Sequence, residues 1–138
     1  MAGIEVLGAL AAASQLTEQG FKISVFISDL YSKVRDAPES IRKQSVQLEQ
    51  LIDIAKLIEH NPPLQTDLVG SILRNCVGEV EKLQEILTNI STAAGDGKVR
   101  KLWKALDGVA KENRILALLA NLEREKSSLA LCIKTIDS

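Results

Sequence analysis

The stretch that decides the fold is PESIRKQSVQLEQLIDIAKLIEHNPP, residues 38–63. Its apolar residues recur every three or four positions, at Ile41, Leu48, Leu51, Ile52, Ala55 and Ile58. This spacing places them on one side of an α-helix. Proline suits the first turn of a helix, and a proline pair after its end prevents it from continuing. The stretch therefore predicts a helix from about Pro38 to Glu59.

The same helical spacing continues on both sides of this stretch. It predicts long helices over about Gly3–Val34, with a bend near Gly20, over Leu64–Ser91 and over Lys111–Ile136. A short helix is predicted over KVRKLWKAL, residues 98–106, and Gly108 is expected to end it. The residues expected to face inward are Phe21, Val25 and the group Leu30, Tyr31 and Val34; Leu68, Ile72, Cys76, Leu83, Ile86, Leu87 and Ile90; and Ile115, Leu118, Leu122, Leu129, Ile133 and Ile136.

The predicted fold class is all-α. Nowhere does the sequence alternate apolar and polar residues for long enough to build a sheet. Aromatic residues make up only 3% of the chain, which also favours helix over sheet. Four long helices with short connections predict an antiparallel four-helix bundle with an additional short helix, in a single domain over residues 1–138.

The overall charge restricts the possible partners. The formal net charge is −1, so the chain lacks the large positive field of a general nucleic-acid binder. We therefore expect no nucleic-acid partner.

The opening residues, MAGIEVLGALAAASQL (1–16), carry one charge, Glu5. A signal peptide needs a basic segment before its apolar run, and a membrane-spanning helix needs about 20 apolar residues. Neither pattern fits, so we expect a helix that is buried on several sides. Gly8 and Ala12, like Ala9 and Ala13, are small residues four apart, a spacing that lets helices approach closely. That approach could occur in a membrane, in an oligomer or within the chain's own bundle.

Candidate chemical sites are few. His60 is the only histidine, and the residues beside it include no partner for a catalytic base. Cys76 and Cys132 lie far apart inside apolar helical patterns, which indicates two free, buried thiols rather than a zinc site. The sequence GDGK, Gly95 to Lys98, lacks the full spacing of a phosphate-binding loop. We therefore expect no enzyme activity, cofactor, metal or small-molecule substrate.

A basic segment precedes the last helix. Lys98, Arg100, Lys101 and Lys104 surround Trp103. Four cations and an indole could bind the headgroups of anionic membrane lipids. The alternative is an exposed basic helix that packs Trp103 on the bundle.

Four phrases of the sequence resemble a known family: LYSKVRDAPESIRKQSVQLEQLIDIAKLI, NPPLQTDLVGSILRNC, DGKVRKLWKAL and LEREKSSLALCI. In this order they resemble the SesA-type N-terminal domain of fungal NACHT and other P-loop NTPases, the intracellular NOD-like receptors. The likeness runs from about Ala9 to the end. More loosely, the layout is similar to fungal HeLo and HeLo-like cell-death domains. No Walker motif of a NACHT region is present in this sequence.

The resemblance implies a cytoplasmic effector domain in programmed cell death and innate immunity. It implies that activation makes the domain form homo-oligomers, relocates it to the plasma membrane and perturbs that membrane through the first helix. The residues expected to serve insertion and oligomerisation are Ile4, Glu5, Val6, Leu7, Gly8, Leu10 and Ala12. The alternative is an adaptor or scaffold that binds its own kind and never enters lipid.

Overall fold

The computed structural model describes residues 2–33, 39–94 and 108–137, and within them the chain is helical without a strand. The four long helices are α1 (Ala2–Lys33), α2 (Glu39–Glu59), α3 (Asp67–Ala94) and α4 (Gly108–Asp137), and a 3₁₀ turn covers Pro62–Leu64. They pack against one another, which confirms an all-α four-helix bundle. The short helix predicted over residues 98–106 lies outside the described residues.

α1 and α2 are antiparallel neighbours, and so are α3 and α4. The Thr17 hydroxyl of α1 donates a hydrogen bond to a carboxylate oxygen of Glu59 at the end of α2 (2.8 Å). Further along α1, Gly20 lies against Ile52, which is earlier in α2. α3 and α4 are antiparallel in the same way. These two pairs follow the prediction.

The other two pairs of neighbours, α1 with α3 and α2 with α4, are parallel. The sequence predicts an antiparallel bundle but not which helices are neighbours in it. Ala9 of α1 lies against Gly70, and Gln15 donates to Glu81 (3.4 Å), so α1 and α3 run in the same direction. The chain crosses from α2 to α3 through the turn at Pro62–Leu64, which contacts both α2 and α4. As a result α1 contacts α2 and α3 and lies diagonally opposite α4.

Side-chain hydrogen bonds fix the two helix ends at this crossing. Gln65 is buried, and its Nε2 donates to the backbone oxygens of Ile58 (3.0 Å) and Glu59 (3.3 Å). These carbonyls at the end of α2 have no partner within the helix. The hydroxyl of Thr66 accepts from the backbone N–H of Val69 (3.2 Å), an N-cap bond. α3 therefore begins at Asp67 rather than at the predicted Leu64.

The core confirms most of the predicted inward faces. All six predicted residues of α2 are buried, as are Cys76, Leu83, Ile86 and Leu87 in α3 and Ile115, Leu122 and Leu129 in α4. Ile72, Leu118, Cys132 and Ile133 are partly buried and pack against this core. The side chains of Leu30, Tyr31, Val34 and Ile90 lie outside the described residues.

Four of the predicted core residues are exposed instead. The prediction that Leu68 faces inward was wrong, because the inward face of α3 starts one position later, at Val69. Ile136 is exposed near the end of α4. Phe21 and Val25 point outward because Gly20, Ile23 and Ile27 take the inward side of α1. α4 begins at Gly108, three residues before the predicted Lys111.

Candidate functional site

The described residues do not assemble a chemical site. Among them, no group of three or more His, Cys, Asp and Glu residues could hold a metal ion. His60 is exposed in the turn after α2. Burial raises the pKa of Cys76 to about 12, and the carboxylates of Glu125 and Glu79 add to the shift. A thiol that stays protonated at neutral pH is a poor nucleophile.

The first half of α1 packs through small residues, which we call the alanine seam: Ala9, Ala12 and Ala13, with Leu16 at its end. All four are buried. The seam brings α1 close to α3, because a Cβ added at Gly70 would lie 3.3 Å from the backbone N and Cα of Ala9. The small residues at four-residue spacing therefore serve packing within the chain in this conformation.

Few of the predicted insertion residues lie in the described packing. Ala12 belongs to the alanine seam, whereas Leu10 is only half-buried. Gly8 is half-buried next to the guanidinium of Arg74, which would lie 3.1 Å from an added Cβ. Ile4, Glu5, Val6 and Leu7 belong to α1, but their side chains lie outside the described residues.

The predicted lipid-headgroup segment is not described at all. It lies within residues 95–107, outside the described ranges, and its members are Lys98, Arg100, Lys101, Trp103 and Lys104. The structure therefore leaves the prediction for this segment as it stood.

α1 has a second surface that the apolar spacing in the sequence does not predict. Its outer face, which we define by Ala11, Ser14, Glu18, Phe21, Lys22 and Val25, points away from the bundle. Phe21 is 63% exposed and Val25 is 45% exposed. Both were assigned to the core because apolar residues occur on more than one side of this helix, and spacing alone cannot say which side is covered.

The charges on this face are sparse and form one pair. Between Gly8 and Ser28 the sequence has only two charged residues, Glu18 and Lys22. Their side chains are 72% and 61% exposed and form an ion pair at 3.5 Å. The outer face therefore presents an aromatic and an aliphatic side chain beside one acid and one base.

An open groove of about 400 Å³ separates α1 from α2 beside this face. Ser24, Ser28, Arg42 and Glu49 are among its lining residues. The Ser24 hydroxyl is buried without a hydrogen-bond partner. The lining mixes an acid, a base and hydroxyls around an open space, so it does not define one ligand.

The described part of the chain contains no helix that combines the length and the apolar character needed to cross a bilayer. Comparisons with known protein families, curated proteins and solved structures found no match.

Proposed function

We propose that this chain is a helical protein-interaction domain that acts by binding further copies of itself. The outer face of α1 carries the proposal, because it exposes Phe21 and Val25 where water-exposed helices normally present charged residues. Apolar side chains gathered on one exposed face are typical of surfaces that bind other proteins. The sequence resemblance supports the same class of function.

On that resemblance, we place the domain at the N-terminus of an intracellular fungal NOD-like receptor. Binding between isolated copies is then weak, and clustering by the receptor makes it effective. A short flexible linkage raises the effective concentration of two sites to the order of 1 mM. The domain would stay monomeric in a resting cell and assemble only when its receptor does.

The test is analytical ultracentrifugation of residues 1–138 at concentrations up to about 1 mM, the range that clustering supplies. We expect an average mass that rises with concentration. A mass that stays at the monomer value over the whole range would contradict self-association.

A second candidate function is perturbation of membranes by α1, and the alanine seam favours it. Among the described side chains before Leu16, those of α1 that are buried are Ala9, Ala12 and Ala13, and alanine buries little apolar surface. The seam is therefore held by a close fit, seen at Ala9 and Gly70, rather than by large side chains. We propose that activation releases this half. Because no described helix can span a bilayer alone, the released helices would act within a ring of copies, with Glu5 toward water and Leu7 and Leu10 toward lipid.

Deletion of residues 1–16 separates the two candidates when vesicle leakage and self-association are measured on the same samples. Loss of leakage with self-association retained supports the membrane function. If neither form causes leakage and both self-associate, the domain is an adaptor.

The basic segment has its own test in the same vesicles. Replacement of Lys98, Arg100, Lys101 and Lys104 by glutamine should weaken binding to anionic vesicles at low salt, since each cation near the surface contributes about 1 kcal/mol. Unchanged binding would remove lipid headgroups from the list of partners.

A further inference from the structure

The charged pair on the outer face of α1 is symmetric in position, as any pair four residues apart on a helix is. Glu18 and Lys22 are each two positions from Gly20, one before it and one after it. The large exposed side chain nearest to this midpoint is Phe21. A helix has a rise of about 1.5 Å per residue, so the acid and the base lie about 3 Å to either side of the midpoint along the axis.

A two-fold axis through this midpoint would bring opposite charges together. If the same face of a second α1 is laid antiparallel across it, Glu18 lies opposite Lys22 of the second copy. The two-fold operation repeats the pair, because the contact uses one surface patch from both copies. Phe21 of each copy lies about 1.5 Å from the axis along the helix, so the two rings meet at the centre.

We infer that the outer face of α1 binds the outer face of α1 in a second copy of this chain, in an antiparallel arrangement whose two-fold axis crosses this face at the height of Gly20 along the helix. The inference rests on the proposed self-association and names its surface. A parallel arrangement in register would place Glu18 near Glu18 and Lys22 near Lys22, which is repulsive. The antiparallel one pairs both charges and leaves no acid facing an acid between residues 8 and 28.

The size of the contact agrees with weak binding. Stable interfaces bury about 1,200–2,000 Å² in total, whereas this face exposes only two large apolar side chains, Phe21 and Val25. We therefore expect dissociation constants on the order of 0.1–1 mM, where clustering by a receptor would make the contact effective.

The first experiment removes the central apolar contact. Phe21→Asp should weaken dimerisation at least about tenfold in sedimentation equilibrium, because it places two like charges at the axis. Leu131→Asp is the matched control. Leu131 is 66% exposed, close to the 63% of Phe21, but it lies on α4, diagonally opposite α1. This control should dimerise like the wild type, and both variants should keep the wild-type circular dichroism spectrum.

The second experiment exchanges the charges. Glu18→Lys alone and Lys22→Glu alone should each weaken dimerisation about threefold or more at low salt, since each reversal breaks two symmetry-related pairs. The double variant Glu18→Lys with Lys22→Glu restores both pairs and should return to within about twofold of the wild type. Weakening by each single reversal together with restoration by the double exchange is the result expected of an antiparallel contact between identical faces.

The outcomes separate this surface from the proposed function. If the wild type dimerises but neither Phe21→Asp nor the single charge reversals weaken it, the surface is wrong and self-association stands. If Phe21→Asp abolishes dimerisation but the double exchange does not recover the dimerisation lost in the single charge reversals, the antiparallel pairing is wrong. If the wild type remains monomeric, both proposals fall.

Discussion

The inner faces of α2 and of α1 between residues 8 and 16 are both buried, yet by different means. α2 buries Leu48, Leu51 and Ile58 completely, whereas the alanine seam of α1 buries three methyl groups before it reaches Leu16. A large aliphatic side chain contributes about 1.5–3 kcal/mol on burial, and a single methylene about 0.8 kcal/mol. Equal burial therefore does not mean equal attachment: we expect the first half of α1 to detach from the bundle before α2 does.

The difference also has a mechanical side. α2 fills space with side chains that can adjust their rotamers, whereas the seam brings two backbones together at Ala9 and Gly70. Contact between backbones leaves no flexible atoms to yield. The seam is therefore sensitive to added volume, and α2 is sensitive to lost volume.

A truncation in the core face of α2 should cost more stability than any other change considered below. Leu51→Ala removes a completely buried side chain and should lower the free energy of unfolding by about 2–5 kcal/mol in urea denaturation. The exposed Leu131→Ala should stay within about 0.5 kcal/mol of the wild type. A loss at Leu51 no larger than at Leu131 would show that α2 does not carry the core.

The next effect is on the seam. Ala9→Leu adds volume where the backbone of α3 lies in contact and should cost about 1–3 kcal/mol, mainly by detaching the first half of α1. Its control is Ala11→Leu, two residues away on the exposed outer face, which should leave stability almost unchanged. Hydrogen exchange would locate the change. Similar effects from both variants would mean that the seam is not tightly packed.

A smaller effect should distinguish two glycines of α3. Gly78→Ala meets no atom within 4 Å and should stabilise the helix by about 0.5–1 kcal/mol, the usual gain of alanine over glycine. Gly70→Ala has the same intrinsic gain but presses on the backbone of Ala9, so its stability should fall below that of Gly78→Ala by about 1 kcal/mol. Equal thermal melts for the two variants would contradict close approach at Gly70.

The smallest effect on stability at neutral pH comes from the ionisation of Cys76, a residue of α3 that lies near Glu125 of α4. Because its pKa is raised from 9.0 to about 12 in the folded state, it stabilises the fold fully below pH 9 and loses that contribution as the pH rises toward 12. At neutral pH its thiol should react with a disulfide reagent more slowly than that of the partly buried Cys132.

The reaction rate of the Cys76 thiol also tests whether the first half of α1 opens separately from the core. Ala9→Leu should not speed the reaction of Cys76 if only the first half of α1 detaches, since α3 and α4 stay closed around it. A faster reaction would mean that the seam and the core open together.

The sequence predicted α2 fully because its apolar residues form a single stripe bounded by prolines. It failed at Phe21 and Val25 because α1 is apolar on more than one side, and only the positions of α2 and α3 decide which side is covered. It made no prediction of which helices are neighbours, so the parallel pairing of α1 with α3 is known only from the structure. That arrangement depends on where the turn at Pro62–Leu64 sends the chain, and local spacing does not encode it.

For the same reason, the sequence predicts only one of the two surfaces of α1, the alanine seam, and not the outer face. The seam could be read from the spacing of Gly8, Ala9, Ala12 and Ala13, although its partner, Gly70, lies about sixty residues away in sequence. The outer face could not be read, since the charge pair at Glu18 and Lys22 looks like any solvated helix pair until the exposure of Phe21 is known. Exposure is a property of the packed bundle.

Native-state hydrogen exchange shows whether the first half of α1 opens separately from the bundle, because it reports the free energy of opening for each amide. We predict that amides from about Ala12 to Leu16 open with a free energy at least about 2 kcal/mol below that of amides from Leu51 to Ile58. Opening of the first group would then occur without unfolding of the bundle. Equal opening free energies in the two groups, both matching global unfolding, would contradict a separately releasable first half of α1.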